Sequence, residues 1–121
     1  PYHDLYGSGD VVVQPQRFNG CSLPLNEARA SGMLVISTDR FPMSTWLPKE
    51  PLIPVHEYHT ASIGGAYLDF QEAQIRPQDV AAKMDEYFGT DITEYSISGK
   101  QWAEDNSWQK LGPLWKEALA S

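Results

Sequence analysis

One segment constrains the fold more than any other: two apolar, β-branched runs separated by a polar loop and a short helical pattern. Residues 11–13 and 33–36 predict two buried strands. Between them, Pro24 stands where a helix begins and Gly32 where one ends. The order strand, loop, helix, strand predicts a parallel βαβ crossover, with the loop at the carboxyl end of the first strand. Ligands of open parallel sheets bind at such ends, so we expect function in this loop.

The start of the predicted helix has the chemistry of an anion site. Ser22 suits the N-cap, Leu23 and the proline after it open the helix, and the helix covers about residues 23–31. Its unpaired N–H groups and its dipole favour a phosphate, and Gly20 allows a close backbone approach to a ligand. Glu27, one turn into the helix, suits the two vicinal hydroxyls of a ribose. The alternative is that Glu27 is an ordinary solvated helix residue.

The segment from Pro15 to Gly32 resembles the donor-binding signature of family 4 retaining glycosyltransferases, which have the GT-B fold. That signature is roughly Pro-Ser-Arg-x-Glu-Gly-Phe-Gly-Leu-Pro-x-x-Glu-Ala-x-Ala-x-Gly. The chain keeps, in register, Pro15, Arg17, Gly20, Leu23, Pro24, Glu27, Ala28, Ala30 and Gly32. Residues 5–13 and 34–39 are similar to the family's flanking strands, and residues 77–81 to the start of a later helix. The resemblance therefore covers most of residues 5–90.

The resemblance implies a fold and an activity. The fold would be α/β, a Rossmann-like three-layer α/β/α arrangement with a short parallel sheet and C-terminal helices, forming part of a GT-B C-terminal domain. Residues 1–121 would form a single domain, with the donor-site region in residues 1–75 and the helices in residues 76–121. The activity would be transfer of a sugar from a UDP-, GDP- or ADP-sugar to an acceptor with retention, needing neither a metal nor another cofactor. A missing N-terminal acceptor domain would complete the site, so we expect this portion alone to be inactive and assign no catalytic residue to it.

The resemblance also assigns donor-binding residues. They are Asn19, Gly20, Cys21, Ser22, Leu23 and Glu27, with Arg17 and Asp39 at a possible cleft rim. Glu27 would hold the ribose. Asn19 stands where the family has a glutamate that contacts the transferred sugar. Its uncharged amide can still donate and accept hydrogen bonds, but it gives less electrostatic help to a cationic transition state.

Charge and composition exclude several other classes of function. A formal net charge of −7 argues against a nucleic acid as partner and weakly against an anionic membrane surface. No apolar run approaches the roughly 20 residues of a membrane span, and no secretory signal is visible. The single cysteine, Cys21, excludes an internal disulfide and indicates a reducing, cytoplasmic location.

The middle of the chain predicts short elements. We expect a brief helix at residues 43–47, a strand at residues 52–55 with Pro54 near its end, a turn at Gly64 and Gly65, and a short edge strand at residues 67–70. His56, Glu57 and His59 have a spacing that weakly suggests a metal site. The preferred interpretation is a polar loop after the strand.

The remainder of the chain predicts three helices. The first begins near Arg76, ends at Gly89 and buries a stripe of Val80, Met84 and Phe88. Thr90 or Asp91 caps the second helix, which turns Ile92, Tyr95 and Trp102 inward, and Ser107 caps the third. Gly112 and Pro113 are expected to kink or split that last helix. Trp102, Trp108 and Trp115 either close a small core or form an exposed interface stripe.

Two other functions stay open beside the transferase. The first is a non-catalytic GT-B-like binding module, which Asn19 and the missing first half favour. The second is a different α/β phosphate-binding enzyme that shares the crossover by chance. A cysteine nucleophile at Cys21 is disfavoured, because it needs a nearby histidine and the sequence places none there.

Overall fold

The chain has a mixed α/β fold. In the computed structural model, residues 2–63 and 68–120 are described. Two 3-10 helices, Tyr2–Tyr6 and Met43–Thr45, accompany the main elements. The main elements are β1 (Val11–Gln14), α1 (Leu23–Ala30), β2 (Leu34–Ser37), β3 (Glu57–Ile63), β4 (Leu68–Gln74), α2 (Pro77–Tyr87), α3 (Thr93–Asp105) and α4 (Trp108–Ala120).

The predicted βαβ crossover is confirmed. Strands β1 and β2 pair in parallel, with Val11 opposite Leu34, and α1 connects them. Helix α1 begins after Ser22 and is followed by Gly32, whose φ of +85° is the left-handed conformation expected of a glycine after a helix. Thr38, directly after β2, makes a single parallel bridge to Ile53. The strand predicted at residues 52–55 is thus reduced to one bridge, because Pro54 has no N–H to donate and the N–H of Leu52 donates to the carbonyl of Lys49 at 3.1 Å.

Apolar side chains pack on both faces of the parallel strands, because consecutive residues of β2 point to opposite sides. On one face, Val35 packs with Leu25 and Ala28 of α1 and with the 3-10 helix at Met43. On the other face, the cluster contains Leu34, Ile36 and Ile53, with Ile75, Val80, Tyr87, Ile92 and Tyr95 packed against it. All four residues of β2 are buried, as expected for a strand covered on both sides.

A β-hairpin occupies a region where the sequence predicted mainly loop. β3 and β4 pair antiparallel over seven residues each, with Glu57 opposite Gln74. The predicted polar loop at His56, Glu57 and His59 is therefore wrong, because Glu57 already begins β3. Glu57 and His59 lie two residues apart on the same face, and their side chains are 3.3 Å apart. The turn predicted at Gly64 and Gly65, like the start of the predicted edge strand at Tyr67, lies outside the described residues.

Helix α2 exists as predicted, but its buried face is different. Val80 and Tyr87 contact the core, whereas Met84 is 49% exposed and Phe88 is 89% exposed. The prediction is confirmed for Val80 and wrong for Met84 and Phe88; Phe88 already follows the last helical residue, and its backbone is extended. Gly89, with a φ of +72°, ends the segment as expected.

Helix α3 packs on α1 and on the core. Ile92 occupies the N-cap position of α3. Asp91, one of the two predicted capping residues, precedes it, and its carboxylate accepts a hydrogen bond from the N–H of Thr93 at 2.9 Å. Trp102 is turned inward, as predicted, and stacks on Trp46 with ring centroids 5.4 Å apart. The guanidinium of Arg29, in α1, lies 4.6 Å from the centre of a Trp102 ring. These contacts tie α3 to the end of α1.

Helix α4 continues through Pro113 from Trp108 to Ala120, so the predicted split does not occur. Trp108 and Trp115 are 79% and 56% exposed, and closure of a small core by these two tryptophans is therefore ruled out. Across residues 2–63 and 68–120, none of the helices combines the length and the apolar character that crossing a bilayer requires.

Candidate functional site

The loop from β1 to α1 contains an unusual backbone conformation at Ser22. Its φ of 30° and ψ of 82° lie in the left-handed region, which a non-glycine residue adopts at a cost of roughly 1–2 kcal/mol. The carbonyl oxygen of Ser22 accepts from the N–H groups of Leu25 and Asn26, at 3.1 Å each. The first turn of α1 is therefore closed onto this residue.

The side chain of Ser22 does not cap the helix. Its hydroxyl oxygen instead accepts from the side-chain amide of Gln16 at 2.9 Å, and the N–H of Gln16 donates to the hydroxyl of Thr38 at 2.9 Å. Gln16 is only 8% exposed, and among the described residues nothing donates to its buried Oε1. The base of the loop is thus a buried polar cluster that joins the end of β1, the start of α1 and the residue after β2.

Above this cluster, the predicted donor-binding residues form an exposed rim. Asn19, Gly20, Cys21 and Leu23 are exposed, and Cys21 carries a free thiol. The side-chain amide of Asn26 donates to the carbonyl of Cys21 and, at 3.1 Å, to that of Ser22. Within the described chain, no acceptor is paired with the backbone N–H of Cys21 or Leu23. These donors lie at the start of a helix, where its dipole favours negative charge.

Glu27 is half-buried on α1 and has a defined partner. Its Oε2 accepts from the hydroxyl of Tyr6 at 2.7 Å, and the ring of Tyr6 packs against the core cluster around Leu25. The contact with Tyr6 therefore holds this carboxylate in one orientation.

The hairpin is attached to the loop through the backbone of Arg17. Its carbonyl oxygen accepts from the N–H of Ala73 at 2.7 Å and from the guanidinium of Arg40. The Nη1 atom of Arg40, which makes this hydrogen bond, also donates to the carbonyl of Gln71 at 3.1 Å. The Nε atom of Arg40 donates to the carbonyl of Phe41 at 3.2 Å. Arg40 thereby joins β4, the loop after β1 and the loop after β2.

Two side-chain contacts complete this attachment. The rings of Phe18 and Phe70 lie 4.4 Å apart, and the guanidinium of Arg17 is 3.6 Å from the carboxylate of Glu72. Arg17, predicted at a cleft rim, is therefore directed to the hairpin. Asp39, the other predicted rim residue, is exposed beyond β2, and its N–H donates to the carbonyl of Ile53 at 2.8 Å.

Sequence reasoning missed Gln16, Thr38 and Arg40. The hydrogen bonds from Gln16 to Thr38 and from Arg40 to Arg17 cross 22 and 23 residues of sequence, so no local pattern indicates them. Gln16 follows Gln14, the last residue of β1, by two positions and is buried beside exposed neighbours, so its need for a partner became apparent only in the structure.

Two cavities of the described surface lie away from this loop. One of about 280 Å³ lies between β1 and α2, and one of about 390 Å³ is lined by Glu50, Glu94 and Tyr95 among others. In the part of the chain that the structure describes, no group of three acidic, histidine or cysteine side chains could hold a metal ion.

Comparison with models of known protein families, with curated proteins and with solved structures found no match to this chain.

Proposed function

We propose that the loop after β1 and the start of α1 bind the diphosphate and sugar of a nucleotide-diphosphate sugar, as the donor half of a retaining glycosyltransferase. On this proposal the fold is the Rossmann-like, three-layer part of a GT-B C-terminal domain. Apolar clusters on both faces of β1 and β2, with α1 on one side and α2 on the other, support that architecture.

The observation that carries the proposal is the left-handed backbone of Ser22. The family signature that this segment resembles has glycine at that position, and glycine is the residue that adopts a positive φ without strain. The sequence alone gave no reason to expect a left-handed residue at a serine. A positive φ at the position where the signature has glycine supports a similar loop geometry, even though the side chain differs.

Two further features fit a donor site. The backbone N–H groups of Cys21 and Leu23, at the start of α1, are suited to phosphate oxygens. The carboxylate of Glu27, oriented by Tyr6, is suited to a pair of ribose hydroxyls. In the family, a second domain binds the acceptor and faces this loop, so turnover requires both halves.

The test is a titration of the chain with UDP-glucose, GDP-mannose and ADP-glucose by calorimetry. We expect one of them to bind and Glu27→Gln to weaken that binding by about 1–3 kcal/mol, a factor of roughly 5 to 150, because a charged acceptor of the ribose is lost. Glu117→Gln, on the exposed surface of α4, is the matched control and should bind like the unchanged chain.

The outcomes separate the candidate functions. Binding of inorganic pyrophosphate with no preference for any nucleotide sugar would point to a different phosphate-binding protein. Absence of all binding would contradict the proposal and favour a non-catalytic module. Asn19, which replaces the family's glutamate on the exposed rim, is the specific observation that favours such a module.

A further inference from the structure

Helix α4 has an apolar surface that the rest of the described chain leaves uncovered. None of its 13 residues is buried. Its tryptophans are largely exposed, and so are Leu114 at 60% and Leu119 at 81%. A shallow apolar groove of about 260 Å³ lies on the helix itself, lined by Leu111, Leu114, Trp115 and Ala118.

The apolar side chains have the spacing of a helix-pairing seam. Trp108, Leu111, Trp115 and Ala118 are separated by three, four and three residues, which is the a, d, a, d pattern of paired helices. The charged residues and the proline of α4 lie outside this seam. Lys110, Lys116, Glu117 and Pro113 occupy the b, c and f positions, which point away from a partner helix.

The exposed area is close to what a specific contact needs. With about 150–250 Å² for a buried aromatic residue and somewhat less for leucine, the exposed parts of the seam and its flanking leucines amount to roughly 500 Å². Monomeric proteins rarely expose a contiguous apolar patch much larger than a few hundred Å². Two such surfaces together bury about 1,000 Å², which is the lower limit for a specific protein–protein interface.

We infer that α4 pairs with α4 of a second copy of this chain, in antiparallel orientation. Antiparallel pairing places a positions opposite d positions, so Trp115 faces Leu111 of the second copy and Trp108 faces its Ala118. Each large ring then meets a smaller side chain. Parallel pairing would set tryptophan against tryptophan and alanine against alanine, which gives overlap at one layer and a void at another.

The charge of the chain favours this occupant over a membrane. Helices that lie on anionic membranes are rich in lysine and arginine on their polar face, whereas α4 carries two lysines and one glutamate. The chain as a whole has a formal net charge of −7 and is repelled by anionic lipid. Two copies also repel each other at long range, so added salt should strengthen their pairing.

Sedimentation velocity of the 121-residue chain from about 1 to about 200 µM tests the pairing. We expect a reversible dimer that tightens as salt is raised. Trp115→Lys should weaken dimerisation at least tenfold, since it places a charge at the centre of the seam. Lys116→Gln, one residue outside the seam, should dimerise like the unchanged chain. A chain that is monomeric throughout, or a Trp115→Lys variant that dimerises normally, overturns the inference.

Single cysteines test the orientation in a Cys21→Ser background. With the two-fold axis near residue 113, two copies of position 114 lie about 3 Å apart along the helix, and two copies of position 119 about 18 Å apart. Leu114→Cys should therefore form a disulfide dimer readily and Leu119→Cys should not. Efficient cross-linking at 119 contradicts the antiparallel arrangement. Binding of the monomeric chain to phosphatidylcholine or phosphatidylglycerol vesicles would show that α4 contacts a bilayer, and would overturn the inference that it pairs with a second copy of the chain.

Discussion

Replacing Gly99 by alanine tests the close packing of α3 on α1. In an exposed helix interior, glycine to alanine stabilises a protein by about 1 kcal/mol. Gly99 is buried, and a Cβ added there would overlap the carbonyl oxygen of Arg29 and lie 3.3 Å from its Cγ. The carbonyl belongs to the backbone of α1 and cannot rotate away as the end of a flexible side chain would. The two helices must therefore separate.

The cost of that separation exceeds the gain in helix propensity. Overpacking of a tight contact costs typically 1–3 kcal/mol. Moving α3 also disturbs the stacking of Arg29 on Trp102, which is worth about 0.5–2 kcal/mol. After subtraction of the propensity gain, we expect Gly99→Ala to lower the free energy of unfolding by about 1–2 kcal/mol, which corresponds to a fall in Tm of roughly 3–10 °C.

Urea unfolding followed by tryptophan fluorescence and by circular dichroism measures this change. Gly112→Ala in α4 is the matched control, because a Cβ there has no atom within 4 Å. Its expected effect is between zero and about 1 kcal/mol of stabilisation, reduced from the usual gain because a proline follows. A Gly99→Ala variant as stable as the unchanged chain, or more stable, would refute the close approach of the two helices.

Three further predictions follow from the site and the core. Ser22→Gly should be more stable than Ser22→Ala by about 1 kcal/mol in urea unfolding, since both variants lose the hydroxyl and only glycine removes the left-handed strain; equal stability would contradict the positive φ. Arg40→Ala should speed hydrogen exchange in β4, whereas Arg76→Ala, which removes the arginine that precedes α2 and contacts Asp79, should leave β4 unchanged; unaltered exchange in both would show that Arg40 does not hold the hairpin. Burial and the hydrogen bond with Tyr95 raise the pKa of Tyr87. The unfolded chain therefore loses this proton first, and stability should fall as pH rises above about 10. Tyr87→Phe should flatten that fall, and an equally steep decline in the variant would disprove the assignment.

The sequence was sufficient where a structural element depends on its own residues. The apolar runs of β1 and β2, Pro24 and Gly32 define the crossover locally, and α2 and α3 have recognisable starts and stops. The predicted burial of Met84 and Phe88 was wrong because it depends on where α2 ends and on the direction in which the chain leaves the helix. The hairpin was underestimated because both of its faces are largely polar, so its strands lack a clear alternation.

The candidate site was predictable in position but not in its supporting contacts. Asn19, Ser22 and Glu27 could be singled out because loop, cap and helix residues follow each other in sequence. The conformation of Ser22 could not, since it is fixed by Gln16 and by the closure of the first turn. Arg40 joins three segments that meet only in the folded chain.

The carbonyl of Arg17 has a consequence for how this loop can change over time. It receives one donor from the backbone of Ala73 and one from Arg40, which together use both lone pairs of the oxygen. Neither donor depends on which side chain stands at position 17. A different residue at that position would lose the contact with Glu72 but keep both of these backbone-directed hydrogen bonds, whereas a change at Arg40 would remove one of them without touching the loop's own sequence.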